Sequence, residues 1–166
     1  MTKMYIGVDP GASGGICGLM QHNEKWNGLG DVLCIVSPYK DIETAKSSIE
    51  KCIEYKSHKI IACIENVHAF PTDGRSSAFK FGRNAGQWEG LLTALGVPYY
   101  KVTPQKWMAH YGELPKDKTE RKNLLKGYAQ GVLTETGVDK KATLKTADAI
   151  LIANYIMQKE RQDKWQ

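Results

Sequence analysis

Five short apolar segments with strand-like patterning divide the chain, and turn-forming residues bound each of them. The first three follow one another closely, which predicts an antiparallel meander that ends at Ser37-Pro38. The fourth is a continuous apolar run reached through a predicted helix, so we expect it to lie parallel to the first strand. The predicted strands cover approximately residues 4–9, 15–21, 32–36, 60–65 and 99–102.

Apolar residues at helical spacing, together with capping residues, predict five helices. Asp41 is placed to cap the first, and Thr103-Pro104 is typical of an N-cap followed by a favoured first helical residue. Asp117 and Glu120 have the spacing of a capping box. The predicted helices cover approximately residues 42–56, 76–95, 104–107, 118–130 and 144–159.

The order of these elements is three strands, helix, strand, helix, strand and then helices. It predicts an α/β fold with a mixed five-stranded sheet, in which three antiparallel strands precede parallel strands and helices flank the sheet. No internal repeat, low-complexity tract or linker interrupts the 166 residues, a length that suits one domain with its own core. We therefore expect a single domain over residues 1–166.

Three acidic residues lie in strongly apolar surroundings. Asp9 ends the first predicted strand, Glu65 ends the fourth, and Asp148 lies near the start of the last predicted helix. A carboxylate in such a place costs free energy unless it is paired or bound to a cation. Taken alone, each carboxylate is compatible with a helix cap or with a hydrogen-bonded buried group. The turn after Asp9, taken alone, is compatible with an ordinary surface turn. Together they predict a ligand set for a hard divalent cation.

Glycines recur every four residues in the long helix predicted over residues 76–95, at Gly82, Gly86 and Gly90. Each glycine in a helix interior costs about 1 kcal/mol relative to alanine. The stripe therefore predicts very close packing, either against the sheet within one subunit or against a second helix in a dimer. Bulky side chains near the stripe are Phe79, Phe81 and Trp88.

The composition is that of an ordinary soluble protein, with 42% hydrophobic and 25% charged residues. No apolar run reaches the length of a membrane span, and the first residues lack the pattern of a signal peptide, so we expect a cytoplasmic protein without a membrane partner. The cysteines show no C-x-x-C spacing and are interpreted as small buried side chains. They are Cys17, Cys34, Cys52 and Cys63.

The net charge of +5 favours an anionic partner. Cations concentrate in the second half of the chain, with Trp107, Tyr111 and Tyr128 among them. This mixture favours nucleic acid over a merely solvated helix face. The cations are Lys101, Lys106, Lys116, Lys118, Arg121, Lys122, Lys126, Lys140, Lys141 and Lys145.

Four stretches, in order along nearly the whole chain, resemble the RuvC-like Holliday junction resolvases of the ribonuclease-H-like nuclease superfamily, above all their phage and prophage branch. They are Ile6-Gly7-Val8-Asp9-Pro10-Gly11, Ile64-Glu65-Asn66-Val67, the run AFKFGRNAG over residues 78–86, and Ala147-Asp148-Ala149. The resemblance implies a homodimeric nuclease that hydrolyses branched DNA such as four-way junctions. It also implies one or two Mg²⁺ ions per site, with Mn²⁺ as a substitute, and, for a phage protein, the cytoplasm of a bacterial host.

The resemblance assigns Asp9, Glu65 and Asp148 to the family's catalytic and metal-binding positions. Family members commonly carry a fourth acidic or histidine ligand three residues before the final Asp, and this chain has Lys145 there. With Lys145 at this position, the sequence does not decide between a one-metal and a two-metal centre. We expect Lys145 to share a helix face with Asp148, where it either holds a phosphate during catalysis or is an exposed lysine.

The loop after Glu65 is expected to be exposed. Phe70 can stack there on a base at a branch point, with His68 as the strictly aligned alternative, or Phe70 can fold back onto the core. The expected DNA contacts are Phe70, His68, Arg75, Lys80, Arg83, Lys106, Lys118, Arg121 and Lys122.

Two other functions fit parts of the pattern. A junction-binding protein that does not cleave would explain Lys145, but the intact carboxylates Asp9, Glu65 and Asp148 argue against it. An actin-like ATP-binding domain is suggested by the Gly-rich turn over residues 9–15, which resembles a phosphate loop. Those folds surround the nucleotide with two such domains, and this chain has room for one, so no nucleotide cofactor is expected.

Overall fold

The computed structural model describes residues 2–22, 34–55, 59–66, 68, 74–137 and 139–162. The strands are β1 (Thr2–Asp9), β2 (Gly15–His22), β3 (Cys34–Pro38), β4 (Lys59–Glu65) and β5 (Tyr99–Val102). The helices are α1 (Ile42–Glu54), α2 (Arg75–Ala94), α3 (Pro104–Met108), α4 (Lys118–Glu135) and α5 (Ala147–Gln162), and a 3-10 turn spans Ala109–Tyr111. Within the described residues, each predicted strand and helix is present, and their predicted order is confirmed.

The five strands form one mixed sheet in the order β3-β2-β1-β4-β5. The β1–β2 and β2–β3 pairs are antiparallel, whereas β1–β4 and β4–β5 are parallel, as the sequence predicts. Val8 of β1 lies opposite Ile64 of β4. The strands that end in Asp9 and Glu65 are therefore neighbours, and both residues reach the same edge of the sheet.

Alternation along β1 separates two hydrophobic clusters, one on each face of the sheet. Met4, Ile6 and Val8 belong to the cluster beneath α1 and α2. Tyr5 belongs to the cluster that α5 and α4 cover. Asp9 has the same parity as Tyr5, so its side chain lies on the α5 face, which is the face from which Asp148 approaches.

Helix α5 packs on β1 with almost no space between the two backbones, and Gly7 makes this contact. A Cβ atom at Gly7 would collide with the carbonyl oxygen of Ala149 and the backbone nitrogen of Ala153. This close approach brings the first turn of α5 to the end of β1. Within the described residues, no other glycine brings an α-helix and the sheet this close together.

The other end of α5 is fixed by Glu160, which joins the starts of β1 and β4. Its Oε2 accepts from Lys3 Nζ at 2.8 Å and from Tyr5 Oη at 2.6 Å, and its Oε1 accepts from Lys59 Nζ at 2.6 Å. Burial opposes ionisation, but these donors hold the pKa of Glu160 at about 2. Anchoring at both ends sets the position of α5, and with it that of Asp148.

Several predicted boundaries are wrong in informative ways. β3 continues through Pro38, which pairs with Gly15, because a proline is tolerated on an edge strand where its missing N–H faces no partner. Helix α4 runs on to Glu135. Helix α5 begins at Ala147 and not at Leu144, and residues 143–146 form a turn closed by the bond from Thr146 N to Thr143 O at 3.1 Å.

The predicted close packing of the α2 glycine stripe within one subunit is wrong. A Cβ atom at Gly82, Gly86 or Gly90 would meet no atom of the described residues within 4 Å. Trp88, which was expected to supply bulk beside the stripe, is buried in the core, while Phe79 is 72% exposed. The stripe is thus an open face of α2, and Gly96 ends the helix with a φ of 68°, as expected.

Cys17, Cys52 and Cys63 are buried thiols, as predicted, whereas the side chain of Cys34 lies outside the described residues. In the part of the chain that the structure describes, no helix is both long and apolar enough to cross a membrane.

Candidate metal centre

Asp9 ends β1, and the turn that follows holds its carboxylate. Gly11 N donates to Asp9 Oδ1 at 3.0 Å, and Gly14 N donates to Gly11 O at 2.9 Å, which closes the turn. A Cβ atom at Gly14 would collide with the backbone of Asp9, so the turn requires glycine there. Burial raises the pKa of Asp9, and the Gly11 hydrogen bond and the charge of Lys122 partly offset that rise.

Glu65 ends β4 beside Asp9 and receives a hydrogen bond from the core. Trp107 Nε1 donates to Glu65 Oε1 at 2.9 Å, and the indole is 1% exposed. Burial first, and then the negative charge of Asp9, raise the pKa of Glu65 to about 7, while the Trp107 bond lowers it and Asp148 raises it further. The indole therefore fixes one carboxylate oxygen of Glu65.

Asp148 lies in the first turn of α5. Burial, and then the charge of Asp9, raise its pKa to about 6, and Lys122 opposes this rise. A carboxylate in the first turn is also favoured by the helix dipole. Asp9 therefore lies close enough to Glu65 and Asp148 for its charge to raise their pKa values, although the three come from separate elements. We call these three residues the carboxylate site.

The donor set of the carboxylate site fits a hard divalent cation. Three partly buried carboxylates with raised pKa values gain most from an ion that neutralises them, and Mg²⁺ prefers carboxylate oxygen. Within the described residues, no three His, Cys, Asp or Glu side chains are already grouped tightly enough to hold a metal ion. Like charges repel, so the three side chains would have to close around an ion to coordinate it.

The raised pKa values predict how pH affects the metal-free protein. Between pH 4.5 and 7 the folded state holds a proton on Glu65 that the unfolded state has released, so stability falls as pH rises through this range. In urea unfolding with EDTA present, the unfolding free energy of Glu65→Gln minus that of the wild type should increase from pH 4.5 to pH 7.5. A difference that is constant with pH would contradict the raised pKa.

Lys145 does not share a helix face with Asp148, because it lies in the turn that precedes α5 and its side chain is exposed. Its carbonyl oxygen packs against β2, 3.1 Å from where a Cβ of Gly15 would lie. The cation whose charge acts on the carboxylate site is Lys122, which acts on both Asp9 and Asp148. From the sequence, Lys122 was expected only as a DNA contact.

The aromatic residues among the cations are mainly structural. Trp107 is buried against Glu65, and Tyr111 Oη donates to Leu151 O at 2.6 Å. The ring of Tyr128 stacks on Tyr111 with centroids 6.1 Å apart and remains 38% exposed. The role of Trp107 at Glu65 was missed, although its place just after β5, the strand beside β4, was a usable signal.

The expected DNA contacts lie on three parts of the surface. Arg75, Lys80 and Arg83 are exposed on α2, and His68 is exposed after Glu65. Lys106, Lys118 and Lys122 are exposed on α3 and α4. Arg121 is partly buried and donates from Nη1 to Pro115 O at 3.0 Å and to Lys116 O at 2.9 Å, which closes the turn before α4. Phe70 lies outside the described residues.

Comparison with known proteins gives structural relatives only. Neither the protein-family models nor the curated protein sequences match the chain. Among solved structures, Thermus thermophilus RuvC in complex with a Holliday junction substrate matches with a TM-score of 0.59 at 16% identity, covering 98% of this chain and 96% of that one.

Two further structures match over 96% of this chain, each with a TM-score of 0.51. The fowlpox virus resolvase, in a complex with its substrate Holliday junction DNA, is 12% identical and covered over 99% of its length. The yeast mitochondrial Holliday junction resolvase is 14% identical and covered over 81%. The chain therefore has the ribonuclease-H-like fold of RuvC and other Holliday junction resolvases, as its four sequence motifs predicted.

Proposed function

We propose that the protein is a divalent-metal-dependent endonuclease that cuts branched DNA, with Holliday junctions as its substrate class. The observation that carries this proposal is the meeting of Asp9, Glu65 and Asp148 at one edge of the sheet, where burial raises the pKa of all three and the charge of Asp9 further raises those of Glu65 and Asp148. The fold supports it, because RuvC and the fowlpox resolvase share the fold and were solved with junction DNA. We further propose that residues 1–166 form one domain, that the protein belongs to the phage branch and that it acts in the cytoplasm.

Each residue of the carboxylate site has a distinct part in this proposal. Asp9, Glu65 and Asp148 would hold Mg²⁺, with Mn²⁺ as a substitute. A bound ion of this kind activates water for attack and stabilises charge on the phosphate. Trp107 orients Glu65 through its Nε1 hydrogen bond. Lys122 compensates the negative charge of the site and is placed to approach a phosphate there.

The proposal is tested by incubating the protein with a synthetic four-way junction and with a linear duplex of the same arm sequence. In Mg²⁺ we expect paired nicks near the branch point of the junction, and no cutting of the duplex or of the junction in EDTA. Binding of the junction without cutting in Mg²⁺ or Mn²⁺ would favour the junction-binding alternative. Equal cutting of both substrates would contradict structure selectivity.

Lys118 and Lys122 form a matched pair on α4, because both are exposed lysines about one turn apart. Each Lys→Gln change should reduce the slope of log affinity against log salt by about 0.9, the value for one lost phosphate contact. Only Lys122→Gln should also slow cleavage at saturating DNA, by at least about tenfold, or about 1.4 kcal/mol. Equal cleavage by the two variants would remove Lys122 from the carboxylate site.

We propose that the protein is a homodimer that pairs through the open face of α2. Glycines let two helices approach closely, and the stripe of Gly82, Gly86 and Gly90 ends beside the exposed ring of Phe79. Two carboxylate sites related by a two-fold axis suit a junction of the same symmetry.

Sedimentation should show a dimer at micromolar concentration, and Gly86→Leu should shift it to monomer with little loss of melting temperature. Gly131→Leu on α4 is the matched control, since a Cβ there also meets open space. It should leave the dimer intact. A wild-type protein that remains monomeric would contradict this interface.

A further inference from the structure

A groove of about 370 Å³ lies between the start of α1 and the outer part of α2, on the face of the sheet opposite to α5. We call it the α1–α2 groove. Three of the side chains that line it are cations, and one is a carboxylate. Its lining residues are Tyr39, Lys40, Asp41, Ile42, Lys80, Arg83, Asn84 and Gln87.

The charge of the α1–α2 groove is available to an anion. Lys40, Lys80 and Arg83 are exposed, and within the described residues none of them forms an ion pair with a carboxylate. The one carboxylate, Asp41, is engaged in capping α1, where its Oδ1 accepts from Thr44 N at 2.7 Å. The groove therefore has an excess of positive charge with little internal compensation.

Asn84 lies in the lining of the groove and is 7% exposed. Its Nδ2 donates to Gly11 O at 3.3 Å, whereas its buried Oδ1 has no hydrogen-bond donor among the described residues. A buried acceptor without a donor is unfavourable, and buried polar groups in folded proteins almost always find a partner. The side chain of Asn84 is held at the turn after Asp9 through its Nδ2 hydrogen bond.

The groove adjoins the carboxylate site through the turn after Asp9. Gly11 accepts from Asn84 through its carbonyl oxygen, and its N–H donates to Asp9 Oδ1 at 3.0 Å. Lys80 and Arg83 precede Asn84 in α2 and lie within about 6 Å of it along the helix axis, at 1.5 Å per residue. A nucleic acid strand that crosses this edge of the sheet can contact both places.

We propose that the α1–α2 groove binds a backbone phosphate of the substrate DNA that is not the phosphate being cut. Lys80 and Arg83 supply the charge, and Asn84 ties the contact to the turn that carries Asp9. The proposal rests on the proposed function, because the ligand is the same branched DNA. It adds a second contact point, on the opposite face of the sheet, at a fixed offset from the carboxylate site.

The test scans a four-way junction with single uncharged methylphosphonate linkages and measures binding in EDTA. For the wild type, a methylphosphonate at one position away from the cut site should weaken binding. In the Lys80→Gln/Arg83→Gln double variant, the same substitution should have no further effect, and the salt slope should fall by about 0.9 per lost contact. Lys46→Gln/Lys51→Gln on α1 removes the same charge outside the groove and should behave as the wild type.

Asn84→Ala provides a second readout, with thermal unfolding to establish that it folds. It should reduce the effect of the same methylphosphonate while the rest of the scan is unchanged. If the double variant retains the full effect of every methylphosphonate, the groove does not bind a phosphate, even when the wild type cuts junctions. If the wild type neither binds nor cuts junctions, the proposed function fails instead.

Discussion

Replacing any one acid of the carboxylate site should abolish cleavage of branched DNA while the protein still folds and binds it. Asp9→Asn, Glu65→Gln and Asp148→Asn each remove one anionic ligand and keep the shape of the side chain. We expect the single-turnover rate to fall at least about a thousandfold, or about 4 kcal/mol. The measurement is cleavage of a four-way junction in Mg²⁺ at saturating protein.

Loss of stability cannot account for that expected result. Burial raises the pKa of Glu65 to about 7 and that of Asp148 to about 6, so the charged forms are already disfavoured in the metal-free protein. A neutral amide at either position should leave the melting temperature in EDTA unchanged or raised. Junction affinity should be retained, because an anion near the DNA has been removed. A variant that cuts within tenfold of the wild-type rate would exclude its residue from the site.

The largest expected effect on stability is that of Gly7→Ala. A methyl group at this position would collide with the backbone of α5 at Ala149 and Ala153. Backbone atoms in a helix cannot relieve such a collision by a rotamer change, as a side chain can. Overpacking of a core typically costs about 1–3 kcal/mol and occasionally more. We expect a loss at or above the upper end of that range, measured by urea unfolding, and a loss of cleavage because α5 carries Asp148.

Gly131→Ala is the matched control for Gly7→Ala. Gly131 lies in α4, where a Cβ meets nothing within 4 Å, so only the helix propensity changes. The same substitution should therefore stabilise the protein by up to about 1 kcal/mol. Equal effects of the two substitutions would mean that α5 does not press on β1 at Gly7.

The sheet was predictable from the sequence because its signals are local. Continuous apolar runs that end in Asp9 and Glu65, and a helix between them, are enough to place these two residues at the ends of neighbouring parallel strands. Asp148 was predictable because it is the one acid in the apolar start of α5. The caps at Asp41, Thr103 and Asp117 were also predictable, since each depends on a few adjacent residues.

What the sequence did not reveal depends on contacts between distant elements. Lys122 acts on the carboxylate site only because α4 packs beside α5, and Trp107 reaches Glu65 only because α3 follows the neighbouring strand. The short offset of Lys145 from α5 reflects the turn over residues 143–146, in which Thr146 Oγ1 accepts from Thr143 N at 3.1 Å, a contact that residue spacing does not reveal. Spacing alone also cannot distinguish an open glycine stripe from a buried one.

The measurement that bears most directly on the carboxylate site is a titration of the DNA-free protein with Mn²⁺, followed by the loss of the free-ion signal in electron paramagnetic resonance. The wild type should bind Mn²⁺ with an affinity that rises from pH 5.5 to pH 7.5, as Asp148 and Glu65 lose their protons. Mg²⁺ should displace the ion, and Asp9→Asn, Glu65→Gln and Asp148→Asn should each weaken binding. Mn²⁺ binding of equal strength in all three variants would contradict a cation site formed by these carboxylates.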